Sequence, residues 1–138
     1  MSDPNDWNKQ VIEEFRANEG KVGGFFANAK IVLLHNVGAK SGQERINPLM
    51  SIEDGGRIVV FASAAGAPKN PAWYYNVVAN PDVTVEYGTE QFNARASVAQ
   101  EPERSELYAE MAGKYDNFRE YQEKTERVIP VVILSRAK

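Results

Sequence analysis

The chain contains no cysteine, which removes disulfides, thiolate metal sites and cysteine nucleophiles from consideration. Its single histidine, His35, cannot build a histidine metal cluster or a two-histidine mechanism. The longest apolar run, KIVLLHNV, falls far short of the ~20 residues a membrane-spanning helix needs. The opening residues, MSDPNDWNKQ, are polar and acidic and lack the apolar core of a secretion signal, so a cytoplasmic chain is expected. Positive charge is not in excess either. A formal net charge of −3 argues against a dedicated nucleic-acid binder, which needs a cationic face. No GxSxG elbow, Walker-type loop, HExxH or GxGxxG occurs.

What is present is an ordinary globular composition. A length of 138 residues, 43% hydrophobic and 25% charged, suits one domain over 1–138 that buries roughly two-thirds of its unfolded surface. Trp7, Val11, Ile12 and Phe15 recur at helical spacing, with Asp6 as N-cap, while Lys9, Glu13, Glu14 and Arg16 face away. Gly20, Gly23 and Gly24 then punctuate the chain, so residues 1–24 read as an amphipathic helix and a glycine-rich loop.

Residues 30–136 read as a barrel with helices. IVLLHNV is a buried-looking strand stopped by the GAKSG turn. RINPLMSIE and RIVVFAS flank Asp54-Gly55-Gly56, and VTVEY and QFNARASV flank Gly88-Thr89-Glu90, giving two hairpins. A short helix lies between them, with Asn70 as cap, Pro71 in its first position and Asn80-Pro81 as its end. Leu107, Tyr108, Met111, Ala112 and Tyr115 form a helical stripe, broken at Asp116-Asn117 into two helices, and PVVIL closes the chain as a strand. The expected fold is mostly β with peripheral helices (α+β): a small barrel of about six antiparallel strands.

The segment FASAAGAPKNPAWYYNVVANP is unusual in placing small residues, Ala62 to Gly66, directly before Trp73, Tyr74 and Tyr75. Small side chains let backbone approach a ligand closely, and the helix that follows offers free N–H groups to an anion. The same residues also suit a tight strand-to-helix connection with Trp73 plugging the barrel. From the residues alone both readings stand. Lys40 and Ser41 by themselves read as a solvated turn; with Arg45 they form a group able to gather around one anion. His35 reads as a strand histidine with a satisfied hydrogen bond rather than a general base. Tyr115, Phe118 and Tyr121 share a side at helical spacing, as core or as a lid over a flat ligand.

GAKSGQERINPLM, FASAAGAPKNPAWYYNVVANPDVTVEYG and YQEKTERVIPVVIL together resemble the deazaflavin-dependent nitroreductases of actinobacteria, split β-barrel oxidoreductases that use coenzyme F420. The likeness runs from about Val32 to Leu134. It implies an FMN-binding-like split barrel and an F420H2-dependent reductase, with a quinone or nitroaromatic ring as hydride acceptor. It implies coenzyme contacts at Ala39, Lys40, Ser41 and Arg45 on the phosphate side, and at Ile46, Asn47, Pro48, Leu49 and Met50 along the ring. Phe61, Ala62, Ser63 and Ala64 would meet the ring system through their backbone. Ala72, Trp73, Tyr74, Tyr75 and Asn76 would close the groove, with Phe118 beyond. Tyr115, Tyr121, Ser63 or solvent would supply the proton to the reduced acceptor, with Tyr121 and Ser63 ranked first. Ala64 stands where family members often carry lysine, and Met50 and Phe118 where some carry tyrosine. These departures favour quinone reduction over the opening of nitroimidazole prodrugs.

Two other readings keep their place beside this one: an FMN-dependent split-barrel oxidoreductase, and a non-catalytic carrier of deazaflavin or a lipid-like ligand. A monomer and a homodimer are both compatible with the resemblance. The first helix is expected to cover the barrel, with a lid or a peripheral membrane contact at the inner face of the cell membrane as its alternatives.

Overall fold

The computed structural model describes residues 4–18, 30–63, 66 and 69–136, with side chains from Lys9 onward. The expected glycine-rich loop at 20–24, the side chain of Trp7, and Ala64 lie outside the described residues. Helix α1 spans Pro4–Ala17 and precedes strands β1 (Ile31–Val37), β2 (Glu44–Asp54) and β3 (Arg57–Phe61). Helix α2 (Ala72–Ala79), strands β4 (Asp82–Tyr87) and β5 (Glu90–Val98), helices α3 (Glu103–Lys114) and α4 (Asp116–Lys124), and strand β6 (Val131–Arg136) follow.

The strands pair antiparallel in the order β1-β2-β3-β6-β5-β4, and β1 with β4 closes the ring. This is the six-stranded barrel that the hairpin spacing predicts. At the β2–β3 turn Gly55 and Gly56 have φ of 57° and 86°, the left-handed pair that a two-residue hairpin of matching twist requires. Alternation along the strands then separates two surfaces. Val32, Leu34, Val60, Val85 and Leu134 belong to one cluster that fills the barrel interior, and Trp73 and Val77 of α2 close one end of it. Trp73 does plug the barrel.

The opposite faces of β1, β2, β3 and β6 are covered by helices. Val11 and Phe15 of α1 are buried against Ile31 and Leu33, with Ile12, Ile46 and Met50 packed alongside. These two side chains contribute about 3–5 kcal/mol of burial as an upper bound, enough to hold the helix on the sheet. Leu107, Tyr108 and Met111 of α3 and Phe118 of α4 pack with Val59, Phe61 and Ile133 in a third cluster.

Three local expectations shift. Helix α1 begins at Pro4, so Asp6 lies within it rather than capping it; proline in the first turn needs no partner for an N–H it lacks. Pro71, not Asn70, occupies the N-cap of α2, and no side chain caps it. Asn70 Oδ1 instead accepts a 2.6 Å hydrogen bond from Arg127. The break between α3 and α4 falls on Tyr115, whose φ of −135° and ψ of 106° are extended.

Candidate functional site

The turn joining β1 to β2 is built for display. Gly38 N–H donates to Gln43 O at 2.8 Å and Gly42 N–H to Gly38 O at 3.0 Å, closing a tight loop that leaves Lys40 and Ser41 exposed. A Cβ on Gly38 would meet Ser41 Oγ and push that hydroxyl away from the Gln43 N–H it accepts.

Three asparagines tie this turn to α2. Asn36, 1% exposed, donates from Nδ2 to Asn47 Oδ1 at 3.0 Å and to the Leu34 carbonyl at 3.2 Å. Its Oδ1 accepts from Asn76 Nδ2 at 2.7 Å, and Asn76 Oδ1 accepts the Ala39 N–H at 2.9 Å. Every amide orientation in the chain of bonds is thereby set. Asn76 and Asn47 were expected here; Asn36 was missed, although a polar residue at an inward position of an otherwise apolar strand is a readable signal.

A groove of about 1080 Å³ opens over this network. Ala39, Lys40 and Ser41 line it from the turn, Arg45, Ile46 and Asn47 from β2, and Ala72, Trp73, Tyr75 and Asn76 from α2. Lys9 and Ile12 of α1 complete the wall, with Gly38, Glu44 and Pro71. Lys9, Lys40 and Arg45 set three cations against one carboxylate, Glu44, so the rim is cationic although the whole chain is acidic. The ion pairs among the described residues do not involve those three. Ile12, Ile46, Pro71, Trp73 and Tyr75 supply apolar and aromatic walls, and Tyr75 is 52% exposed. A concave site of this size with apolar sides and polar groups at one end suits a flat, tailed anion.

The remaining predicted residues lie elsewhere. Pro48 is buried, and Leu49 and Tyr74 pack against the barrel interior. Phe61 and Phe118 meet at 5.8 Å between ring centroids, and Phe118 and Tyr121 at 5.3 Å, with Tyr115 6.4 Å from Phe118. These rings form a patch outside the groove lining. Met50 packs against both this cluster and the one beneath α1. Ile46, which lines the groove, shares its strand face four residues away, about 14 Å along β2. The two groups of predicted residues are therefore successive along one strand face.

Ala62 and Ser63 are buried, and an arginine that the sequence reading missed holds them. Arg127 donates to Ala62 O at 3.2 Å and Ser63 O at 2.8 Å, besides Asn70. Burial pulls its guanidinium below the usual arginine range. Gly66, at φ 79°, lies so close under α4 that a Cβ there would sit 2.9 Å from Tyr121 O. Ala62 and Ser63 are thus held by Arg127, and Gly66 lies against α4. Tyr121 OH accepts from Asn117 Nδ2 at 3.1 Å. Tyr108, whose hydroxyl burial pushes up to about 12, donates to Phe118 O at 2.6 Å and serves as a structural bond.

His35 is engaged through both ring nitrogens, Nε2 at 2.6 Å from Glu86 and Nδ1 at 3.3 Å from Glu44, in keeping with a satisfied strand histidine. Glu86 also takes a two-pronged contact from Arg16 of α1, at 3.1 and 2.7 Å. The Arg16 hydrogen bond, helped by His35, holds the Glu86 carboxyl below the usual carboxylate range despite burial that opposes it. Among the described residues no cluster of His, Asp and Glu is arranged to hold a metal ion, and no helix is long and apolar enough to cross a membrane.

A family model described as F420H(2)-dependent quinone reductase matches residues 7–136. An F420H(2)-dependent quinone reductase of Mycobacterium tuberculosis is 36% identical over 129 residues, covering 88% of this chain and 85% of that relative. Among solved structures, an F420-H2 dependent reductase (FDR-A) is 42% identical at a TM-score of 0.70, covering 76% of this chain and 93% of its own. A domain-swapped dimer is 37% identical at a TM-score of 0.72, with 96% of this chain and all of the other, 100%, covered. With that match reaching from α1 to the last strand, across both the barrel and the groove, the chain belongs to the F420H(2)-dependent quinone reductase family.

Proposed function

We propose that the groove holds coenzyme F420 and that the reduced coenzyme, when bound, supplies a hydride to a quinone, with nitroaromatic rings as a second acceptor class. The observation that carries this reading is the convergence of turn, strand and helix on one groove with cations at one end and rings along its side. Lys40 and Arg45 suit a phosphate and a carboxylate tail, and Ser41 adds a hydroxyl. Ile46, Pro71, Trp73 and Tyr75 suit the faces of a flat heterocycle, and the Asn47 amide suits a ring carbonyl. The asparagine network fixes the wall before anything binds, so little ordering is left for the binding step.

Acceptor binding is assigned to the neighbouring patch, where Met50, Tyr115 and Tyr121, partly buried and packed over the core that holds Phe118, offer a surface for a second ring. The protein's part in the reaction is to hold the two rings at reacting distance and to exclude water from them. Tyr121, oriented by Asn117, and Ser63 are the proton donors of choice, with Tyr115 third. Val11 and Phe15 are spent on the barrel, so a membrane contact that reaches a lipid quinone would have to use residues outside this stripe. An exchanged-segment homodimer, the assembly of one relative, is the oligomer to look for by light scattering.

The test is to mix the purified protein with reduced F420 and menadione and to follow reoxidation of the deazaflavin. Turnover that depends on the protein is expected. Tight F420 binding without turnover would instead identify a carrier, and yellow FMN retained through purification would identify a flavin enzyme. Lys40→Ala and Arg45→Ala should each weaken F420 binding about five- to tenfold at low salt and less at high salt. Unchanged affinity in both would place the tail elsewhere.

A further inference from the structure

We infer that helix α1 is a working wall of the cofactor groove, in which Lys9 supplies a third cation for the tail of F420 and Arg16 acts as the positioning residue that holds the helix in place. The inference rests on the cofactor reading above and adds to it residues that neither the motifs nor the small-residue segment indicate.

Lys9 and Ile12 are the α1 residues that line the groove, and Lys9 is exposed. On a helix, Lys9, Ile12 and Arg16 fall at positions i, i+3 and i+7 and so share one face. That face adjoins the stripe of Val11 and Phe15, which is buried on β1 and β2. The buried stripe sets how close the helix lies. Rotation about its own axis is set by a directional contact, the two-pronged bond from Arg16 to Glu86 of β4, whose Oε2 is also met by His35 Nε2 at 2.6 Å. With this contact made, the Lys9–Ile12 edge faces the opening between the β1–β2 turn and α2. Lys9 then joins Lys40 and Arg45 around one space, and Glu44, the acid on that rim, is drawn toward His35 Nδ1 at 3.3 Å. Three cations around an opening suit a ligand with several anionic groups along its length better than one with a single phosphate.

The experiment titrates the full-length protein with F420 carrying its phosphate and glutamate tail, and with the 8-hydroxy-5-deazariboflavin chromophore that lacks both. Lys9→Ala should raise the dissociation constant for tailed F420 about three- to sixfold at low ionic strength, and Lys9→Glu by more than tenfold. Neither change should alter binding of the chromophore alone, and both effects should shrink at high salt. Arg16→Gln should weaken tailed F420 severalfold, and Arg16→Lys should recover part of the loss. In a Lys9→Ala background Arg16→Gln should have clearly less effect than in the wild type, because its action runs through the position of Lys9. A purely structural role for Arg16 would give additive losses. Equal affinity of wild type, Lys9→Ala and Lys9→Glu for tailed F420 overturns the inference while leaving the cofactor reading intact. Should the wild type bind neither probe, the cofactor reading falls, and this inference with it.

Discussion

Replacing Asn76 with alanine tests the link between packing and the groove most directly. Asn76 gives a 2.7 Å hydrogen bond to Asn36 Oδ1 and accepts one of 2.9 Å from the Ala39 N–H. Asn36 cannot turn its amide to compensate, because its Nδ2 is committed to Asn47 Oδ1 and the Leu34 carbonyl. At 1% exposure in the wild type, the Asn36 oxygen depends on Asn76 for its donor. A buried acceptor left without a donor costs roughly 1–3 kcal/mol, and the lost bond at Ala39 about 1 more, so about 2–4 kcal/mol is expected. At a urea m-value of about 1.5 kcal/mol per molar, the unfolding midpoint should fall by about 1.3–2.7 M. Because Ala39 begins the turn that carries Lys40 and Ser41, F420 affinity should fall roughly tenfold in the same variant. Asn76→Asp sharpens the test: the acceptor for Ala39 survives, while two acceptor oxygens now face each other at Asn36. It should be at least as unstable as Asn76→Ala at neutral pH. A midpoint within about 0.3 M of wild type for both variants, a stability change under about 0.5 kcal/mol, would refute the claim that this network holds the groove wall.

Other perturbations follow from single contacts. Arg127→Lys keeps the charge but not the fork that reaches Ala62 O, Ser63 O and Asn70; a loss of about 1–3 kcal/mol in chemical denaturation is expected, and none would mean the clamp is idle. Gly66→Ala forces a side chain into φ 79° and against Tyr121 O at 2.9 Å, so its Tm should drop by roughly 5–10 °C; an unchanged Tm would show that α4 yields freely. The Glu86 carboxyl is held low, first by Arg16 and then by His35, so the stability it lends is present above its unfolded value of about 4.3 and disappears as pH falls through its lower folded value. Glu86→Gln should therefore be less stable than wild type at pH 7, and thermal melts should show the gap closing in acid. A gap constant across that range would refute the assignment.

The barrel was legible in the sequence because its hairpins carry local signals. Gly55-Gly56 and Gly88-Thr89 each stand between alternating runs, and turn chemistry of that kind acts over a few residues. Helix ends were less legible for the same physical reason in reverse. Asn70 has the chemistry of a cap, yet Arg127, 57 residues away, takes its oxygen. No local pattern records that competition. The groove residues on the β1–β2 turn, β2 and α2 were found through motif resemblance, which carries long-range information in compressed form. Periodicity makes Lys9 an outward charge and Ile12 part of a covering stripe, because it reports which face of a helix is apolar and not what lies beyond its edge. Asn36 was the one missed residue with a usable trace, since inward polar residues must find partners. Arg127 had none.

The site's location follows from how the barrel is filled. Its interior holds Val32, Leu34, Val60, Val85 and Leu134 at essentially no exposure, with Trp73 across one end, so no heterocycle can enter it. A ligand must instead lie at the rim and on the outward face of β2, where the covering is supplied by separate helices that leave gaps between them. One such gap borders β2, between α1 and α2 over Ile46, and farther along the strand Met50, Tyr115 and Tyr121 are only partly buried. Alternation puts Ile46 and Met50 on one face with Pro48 between them, and the proline lacks an N–H, which limits the strand's ability to pair with anything beyond its neighbours there. In the proposed reading, coenzyme and acceptor would share a continuous strip of one strand, walled by helices drawn from distant parts of the sequence. Changes in α1 and α4 can then alter tail affinity and acceptor choice independently while the barrel that carries them stays the same.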